Sequence, residues 1–322
     1  MSVRALEFYS GIGGLHRALT ESSIEGTVVR AYDWDQAACR VYAANYGPGV
    51  VDIGSLTPAE LSVLDADLWL LSPSCQPYTV LNPLAKGAED PRAKSFIRLM
   101  EDVLPELVRL RKQPQRLLVE NVAGFETSST RERLVVTLRT LGYSILEMLI
   151  TPLQFGIPNS RLRYYLLAKY GPLSFAGIDG QEERVLRHIP GRGSDWVDTR
   201  MHSGEEAPDV AVAAVREYLD EDTDAEPHPH AIPEKVLEKW GRLFDIVLPS
   251  AKRTCCFTRG KKPPHSLQLT VLHNSYLGYT KLVERSGSIL QMNEDLDVSL
   301  SAFSQLSRAL MNLYATTDNP NI

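Results

Sequence analysis

The chain has 322 residues, 43% hydrophobic and 23% charged, with 34 Lys and Arg against 40 Asp and Glu and a net charge of −6. That length holds one large α/β domain, alone or with a smaller lobe, and the composition is ordinary for a soluble globular protein. The acidic balance excludes a protein that coats nucleic acid non-specifically, while leaving room for a local basic groove.

Four cysteines, Cys39, Cys75, Cys255 and Cys256, form no CxxC pair, so neither a disulfide framework nor a zinc site is expected. The N-terminus enters a strand-like segment without a charged and apolar leader, and no apolar run approaches the ~18 residues of a membrane span. No membrane association is expected, and an intracellular, reducing compartment, cytoplasmic and/or nuclear, fits this pattern.

The first strand, over 5–9, runs into Phe8-Tyr9-Ser10-Gly11-Ile12-Gly13-Gly14 and a helix over 13–20. Glycines there let backbone approach a ligand and permit positive φ, although the spacing is not that of dinucleotide folds. A strand over 27–32 delivers Asp33, an acceptor for ribose hydroxyls, and Trp34, an aromatic face for a purine; a helix over 35–45 follows, with Cys39 in the core. A strand over 50–53 ends on Asp52-Ile53, an acceptor for an exocyclic amine beside an apolar wall. Each feature alone also fits a tight turn or a surface residue. Three successive strand ends together favour an adenosine-bearing ligand.

The fourth strand, 67–72, breaks into Ser72-Pro73-Ser74-Cys75-Gln76-Pro77-Tyr78-Thr79, placing a cysteine in a polar, proline-framed loop. A buried small hydrophobe is the bland alternative for a cysteine. After a helix over 94–111, the fifth strand, 116–121, carries Glu120-Asn121-Val122 behind an apolar run, and a carboxylate there needs a ligand or a specific partner. Ser129 and Glu132 read as a capping box for a helix over 130–141, stopped by Gly142. The last strands are 143–150 and 163–168; the second is preceded by Asn159-Ser160-Arg161-Leu162-Arg163, with two arginines on one face. Alternating strands and helices predict a Rossmann-like α/β fold with a doubly wound, mostly parallel sheet, and ligands in such sheets bind beyond the carboxyl ends of the strands.

After residue 171 the pattern degrades: a loop at 191–193, an acidic linker at 220–226, a helix at 237–248 and an irregular stretch from Lys261 to Leu277. His228 and His230 lack partner ligands, and Asp220–Asp224 lacks the Gly and distal Glu of a calcium loop, so no metal is expected. The organisation is read as a catalytic domain over 1–170, a target-recognition lobe over 171–262, and an irregular insertion with an incomplete C-terminal segment over 263–322.

The residues at the strand ends make chemical sense together. C5 of a pyrimidine is a poor nucleophile until a thiolate adds at C6. A carboxyl group at N3 favours that addition, and arginines can support the base and the thiolate. The motifs 8–14, 73–76, 120–122 and 159–163 resemble the cofactor loop, catalytic loop, acid motif and paired-arginine motif of the cytosine-5 methyltransferases. Cys255-Cys256-Phe257-Thr258, Gln291-Met292-Asn293-Glu294-Asp295 and 155–164 resemble the branch related to DNA methyltransferases but acting on aspartate tRNA. The likeness covers residues 3–170 and, in pieces, 250–298.

The resemblance implies S-adenosylmethionine as cofactor, held by Phe8, Ser10, Gly11, Gly13, Gly14, Asp33, Trp34, Asp52, Ile53 and Pro73. It implies Cys75 as nucleophile, Glu120 as the N3 partner, and Arg161 and Arg163 as supports. The substrate would be the anticodon-loop cytosine of aspartate tRNA, flipped from its stack. Arg92, Lys94, Lys252, Arg253, Arg259, Lys261 and Lys262 are candidates to meet the RNA backbone. Three departures stand out. Ser74 separates Pro73 from Cys75, residues 261–277 interrupt the stretch after Thr258, and the family's Asn-bearing closing motif is not legible after Gln291. A DNA cytosine-5 methyltransferase and a catalytically silent nucleic-acid-binding relative are the alternatives.

Overall fold

The structure is a computed structural model; it describes residues 2–53, 56–78, 86–175, 184–190, 211–218, 245–247, 249–254, 270–274 and 281–284. The strands are Val3–Phe8 (β1), Gly26–Tyr32 (β2), Val50–Val51 (β3), Leu68–Leu71 (β4), Arg116–Val122 (β5), Tyr143–Ile150 (β6) and Arg163–Tyr170 (β7). They form one sheet in the order β3-β2-β1-β4-β5-β7-β6. All neighbours are parallel except β7, which runs antiparallel to both β5 and β6. The expected doubly wound, mostly parallel α/β sheet is present.

Strands buried on both faces are uniformly apolar. Every residue of β4, Leu-Trp-Leu-Leu, is buried, as are Leu117, Leu118 and Val119 of β5. At the carboxyl end of β1 the Phe8 ring stacks on Tyr32 with centroids 5.1 Å apart and tilts against Trp69 at 4.9 Å.

The helices are Gly14–Glu21 (α1), Gln36–Tyr46 (α2), Pro58–Ser62 (α3), Lys94–Arg98 (α4), Leu104–Arg109 (α5) and Ser129–Thr140 (α6). The helix predicted over 94–111 is continuous but contains a π-helical turn at Leu99–Val103. Pro105 explains it, because a proline lacks an N–H and its ring collides with the carbonyl four residues back; a wider turn relieves both. The α6 cap lies one residue earlier than expected. Ser128 Oγ accepts the Arg131 N–H at 3.2 Å, while Ser129 Oγ accepts the Ala88 N–H at 3.0 Å and ties down the 3₁₀ turn Gly87–Glu89. Gly142 ends the helix at φ 90° as predicted.

The chain divides into two compact units: among the described residues, one comprises 2–150 and 162–190, the other 151–161 and 211–284. The second contains a three-stranded sheet of Asp245–Val247 (β8), Thr270–Asn274 (β9) and Lys281–Glu284 (β10), in the order β10-β9-β8. This corrects two expectations. The described end of the helix predicted over 237–248 is strand, as is the core of the stretch read as irregular over 261–277. Thr, Val and Ile favour a pleated strand in both places. Cys255, Cys256, residues 191–193, His228, His230, the 220–226 run, Gln291–Asp295 and 314–322 lie outside the described residues. Among the described residues, no helix is long and apolar enough to cross a membrane.

Candidate active site

The glycine turn follows β1 directly. Tyr9, at φ 58°, begins the bend; Ser10 N–H donates to Tyr32 O at 3.1 Å, and Gly13 N–H donates to Ser10 O at 2.8 Å. The glycines here do different jobs. A Cβ on Gly13 (φ 91°) would lie 2.3 Å from Cε2 of Tyr46, so packing against α2 demands glycine whatever binds above. Gly11 (φ 55°) faces open space within 4 Å. A ligand can approach backbone there. Gly14 starts α1.

Asp33, 6% exposed at the end of β2, braces this turn. One oxygen accepts the Gly11 N–H at 2.7 Å; the other accepts those of Trp34 at 2.7 Å and Asp35 at 2.8 Å. A carboxylate has about four acceptor positions, which leaves room for one ribose hydroxyl where the sequence reading expected two. Trp34 is 66% exposed and offers its ring beside this corner. Phe8, at 0% exposure, is enclosed by its aromatic neighbours. Asp52 is exposed, and Ile53 is buried on the wall of a cavity shared with Leu56, Ser95, Arg98 and Leu99. An open glycine turn, a braced carboxylate, an exposed indole and an apolar cavity suit an adenosine-bearing cofactor.

The cysteine loop and the acid motif lie on the next two strands of the sheet, β4 and β5. Ser72 leaves β4 with its N–H donating to Phe8 O at 3.2 Å and its hydroxyl to Tyr9 O at 3.0 Å. Asn121 Nδ2 donates to Pro73 O at 3.1 Å, joining the acid motif to the cysteine loop. Tyr78 N–H donates to Cys75 O at 3.0 Å. Ser74 is therefore taken up between two anchored points, and Cys75 emerges with an exposed thiol, outside any disulfide, at the carboxyl end of the sheet. On β5, paired with β4 through Leu71 and Val119, Glu120 is 12% exposed and Arg163 Nε lies 3.3 Å from its Oε1. Arg163 Nη1 also donates to Leu162 O at 2.8 Å.

Arg161 belongs to the second unit, where its N–H donates to Thr151 Oγ1 at 3.2 Å. Its neighbours are pinned by Thr254, a buried residue the sequence reading passed over. Asn159 Nδ2 donates to Thr254 Oγ1 at 3.0 Å, Ser160 N–H donates to Thr254 O at 2.8 Å, and the Thr254 hydroxyl donates to Pro158 O at 2.8 Å. Two further groups went unnoticed. Glu7 is buried and His16 half-buried beside the glycine turn, and the charge of Glu7 between Leu6 and Phe8 was its visible signal. Arg92, expected to meet the RNA backbone, reaches Gln76 beside the thiol. Cys39, assigned to the core, is half-buried, with its thiol pushed up by burial.

Comparison with known proteins agrees with this geometry. The family model described as "C-5 cytosine-specific DNA methylase" matches residues 3–202. A Schizosaccharomyces pombe protein named "tRNA (cytosine(38)-C(5))-methyltransferase" is 37% identical over 296 residues, covering 91% of this chain and 76% of its own. A Homo sapiens protein of the same name is 34% identical over 338 residues, covering 92% and 80%. The crystal structure of S. pombe Dnmt2 methyltransferase superposes with a TM-score of 0.70 at 29% identity, over 98% of this chain and 99% of that one. With its sheet, its open glycine turn and its Cys, Glu and Arg at neighbouring strand ends, the chain belongs to the C-5 cytosine-specific methyltransferase family, whose methyl donor is S-adenosylmethionine.

Proposed function

We propose that this enzyme methylates C5 of cytosine 38 in the anticodon loop of aspartate tRNA, through a Cys75–C6 bond assisted by Glu120. The observation that carries this is the exposed Cys75 thiol on a loop tied through Asn121 to the strand that bears the Glu120–Arg163 pair. Over more than nine-tenths of the chain the S. pombe and Homo sapiens relatives carrying the tRNA name are 37% and 34% identical, against 31% for a Dictyostelium discoideum relative named DNA (cytosine-5)-methyltransferase, which favours RNA over DNA.

In this mechanism the Cys75 thiolate adds to C6, and the ring electrons move toward N3. Glu120 meets N3 and shares a proton with it, offsetting the charge that develops there. Arg163 holds Glu120 in place, and Arg161 supports the substrate from the neighbouring segment. S-adenosylmethionine, when bound, would supply the electrophilic methyl carbon that C5 takes up, its sulfonium becoming a thioether. Cys75 is expelled from C6 once water has taken the C5 proton, restoring the ring and the thiolate. Gly11, Asp33, Trp34 and Ile53 would hold the cofactor. An unpaired loop base is cheap to extrude, which suits an anticodon loop.

The experiment is transfer of labelled methyl to aspartate tRNA, to the same tRNA with cytosine 38 replaced, and to duplex DNA. Wild type should label only the first, and Cys75→Ala none. Glu120→Ala should lower turnover by a factor of about 10²–10⁴ with cofactor affinity nearly intact. Label in DNA but not tRNA would make this a DNA enzyme; no label with intact RNA binding would make it a silent binder.

A further inference from the structure

We propose that Arg92 is a positioning residue for Cys75: it clamps Gln76, the nucleophile's neighbour, and turns the positive end of an Asp90–Arg92 pair toward the sulfur. The role rests on Cys75 being the nucleophile. Asp90 is 3% exposed. Its carboxylate accepts from Arg92 Nε at 2.8 Å, from Nη2 at 2.6 Å and from the Arg92 backbone N–H at 3.0 Å. These hydrogen bonds hold the Asp90 carboxyl down at about 2, so the pair stays charged at any working pH.

With the Nε–Nη2 edge taken by the carboxylate, the remaining corner, Nη1, reaches Gln76 Oε1. The pair is therefore an oriented dipole, and the charges of Arg92 and Cys75 interact. A guanidinium whose bidentate edge is occupied is poorly disposed to grip a phosphate, the role its charge alone suggested. The segment behind it is fixed, because Ala88 is bonded to Ser129 at the start of α6. The other polar groups around the pair are Lys86 and the Tyr78 hydroxyl, both facing Asp90; Glu120 and Arg163 stand on β5 and β7. A cation beside a thiol favours the thiolate, the form that attacks.

The test is peptide-resolved alkylation of Cys75 in the full chain against pH, alongside kcat and KM for tRNA. In Arg92→Gln, Cys75 should react about three- to tenfold more slowly at neutral pH and its pH profile should move up, while Cys39 is unaffected. The same variant should lower kcat and leave the KM for tRNA within about twofold. Arg92→Lys, which keeps the charge, should recover most of the Cys75 reactivity and serves if Arg92→Gln folds poorly. An unchanged alkylation profile in Arg92→Gln, or a raised KM with kcat intact, would overturn the proposal. Alkylation does not depend on substrate, so a wild type that methylates nothing would refute the proposed function while leaving the clamp open to measurement.

Discussion

Glu7 sits in β1 with 1% exposure; one carboxyl oxygen accepts the His16 N–H at 3.1 Å, and the carboxyl faces the Tyr42 hydroxyl. Burial pushes its carboxyl up to about 8 and pushes the neighbouring His16 imidazole down to about 4, so both are neutral near pH 7. His16 Nδ1 pairs with the Tyr42 hydroxyl at 2.7 Å, and its ring stacks on Tyr46 at 3.9 Å. The signs differ. Glu7 binds a proton more tightly folded than unfolded, so its contribution is lost as pH rises toward 8; His16 binds one less tightly, so its contribution is lost as pH falls from 6.5 toward 4. Between 4.5 and 6.5 the two oppose each other, and above 6.5 only Glu7 acts. Urea unfolding at pH 6.5 and pH 8.5 should show wild type losing about 2 kcal/mol more than Glu7→Gln. Parallel losses would place the proton elsewhere.

At the scale of elements, the glycine turn separates fold from function within three residues. Gly13→Ala should cost about 2–4 kcal/mol, because the new methyl strikes Tyr46 and φ is positive. Gly11→Ala should cost only about 1–2 kcal/mol, from φ alone, yet weaken cofactor binding several-fold by filling the open space. Paired unfolding and cofactor titrations check this; equal effects of the two changes on both measurements would refute it. The elements legible in sequence were those with a strong period or a long apolar run, such as β4, β5 and β6. α3 was missed because five residues are too few to show a period, although Thr57 and Glu60 form a complete capping box around Pro58. The π-turn was marked by Pro105. The α6 cap slipped by one because both Ser128 and Ser129 can cap, and only the turn at Ala88 decides between them.

For the whole molecule, the strand ends that line the site were readable as motifs, but the contacts among them were not. Asn121 to Pro73 spans 48 positions, and Thr254 meets Asn159 across 95. No local pattern encodes such pairings. Thr254→Val removes two side-chain hydrogen bonds, worth about 1 kcal/mol each, from the segment that carries Arg161. Turnover on tRNA should fall about tenfold with cofactor affinity unchanged. Unaltered turnover would show that Arg161 needs no such support.

The reversed direction of β7 has a final consequence. Alone among the described strands of the seven-stranded sheet it runs against the rest, which brings its beginning to the edge where β5 ends, so Arg163 arrives beside Glu120 as the chain re-enters the sheet. Successive side chains on a strand point to opposite faces, so a slip of a single position would swing the guanidinium to the far side. The excursion through 151–161 thus sets the phase of the Glu120–Arg163 pair: its length can change only if the landing of β7 against β5 is kept in step.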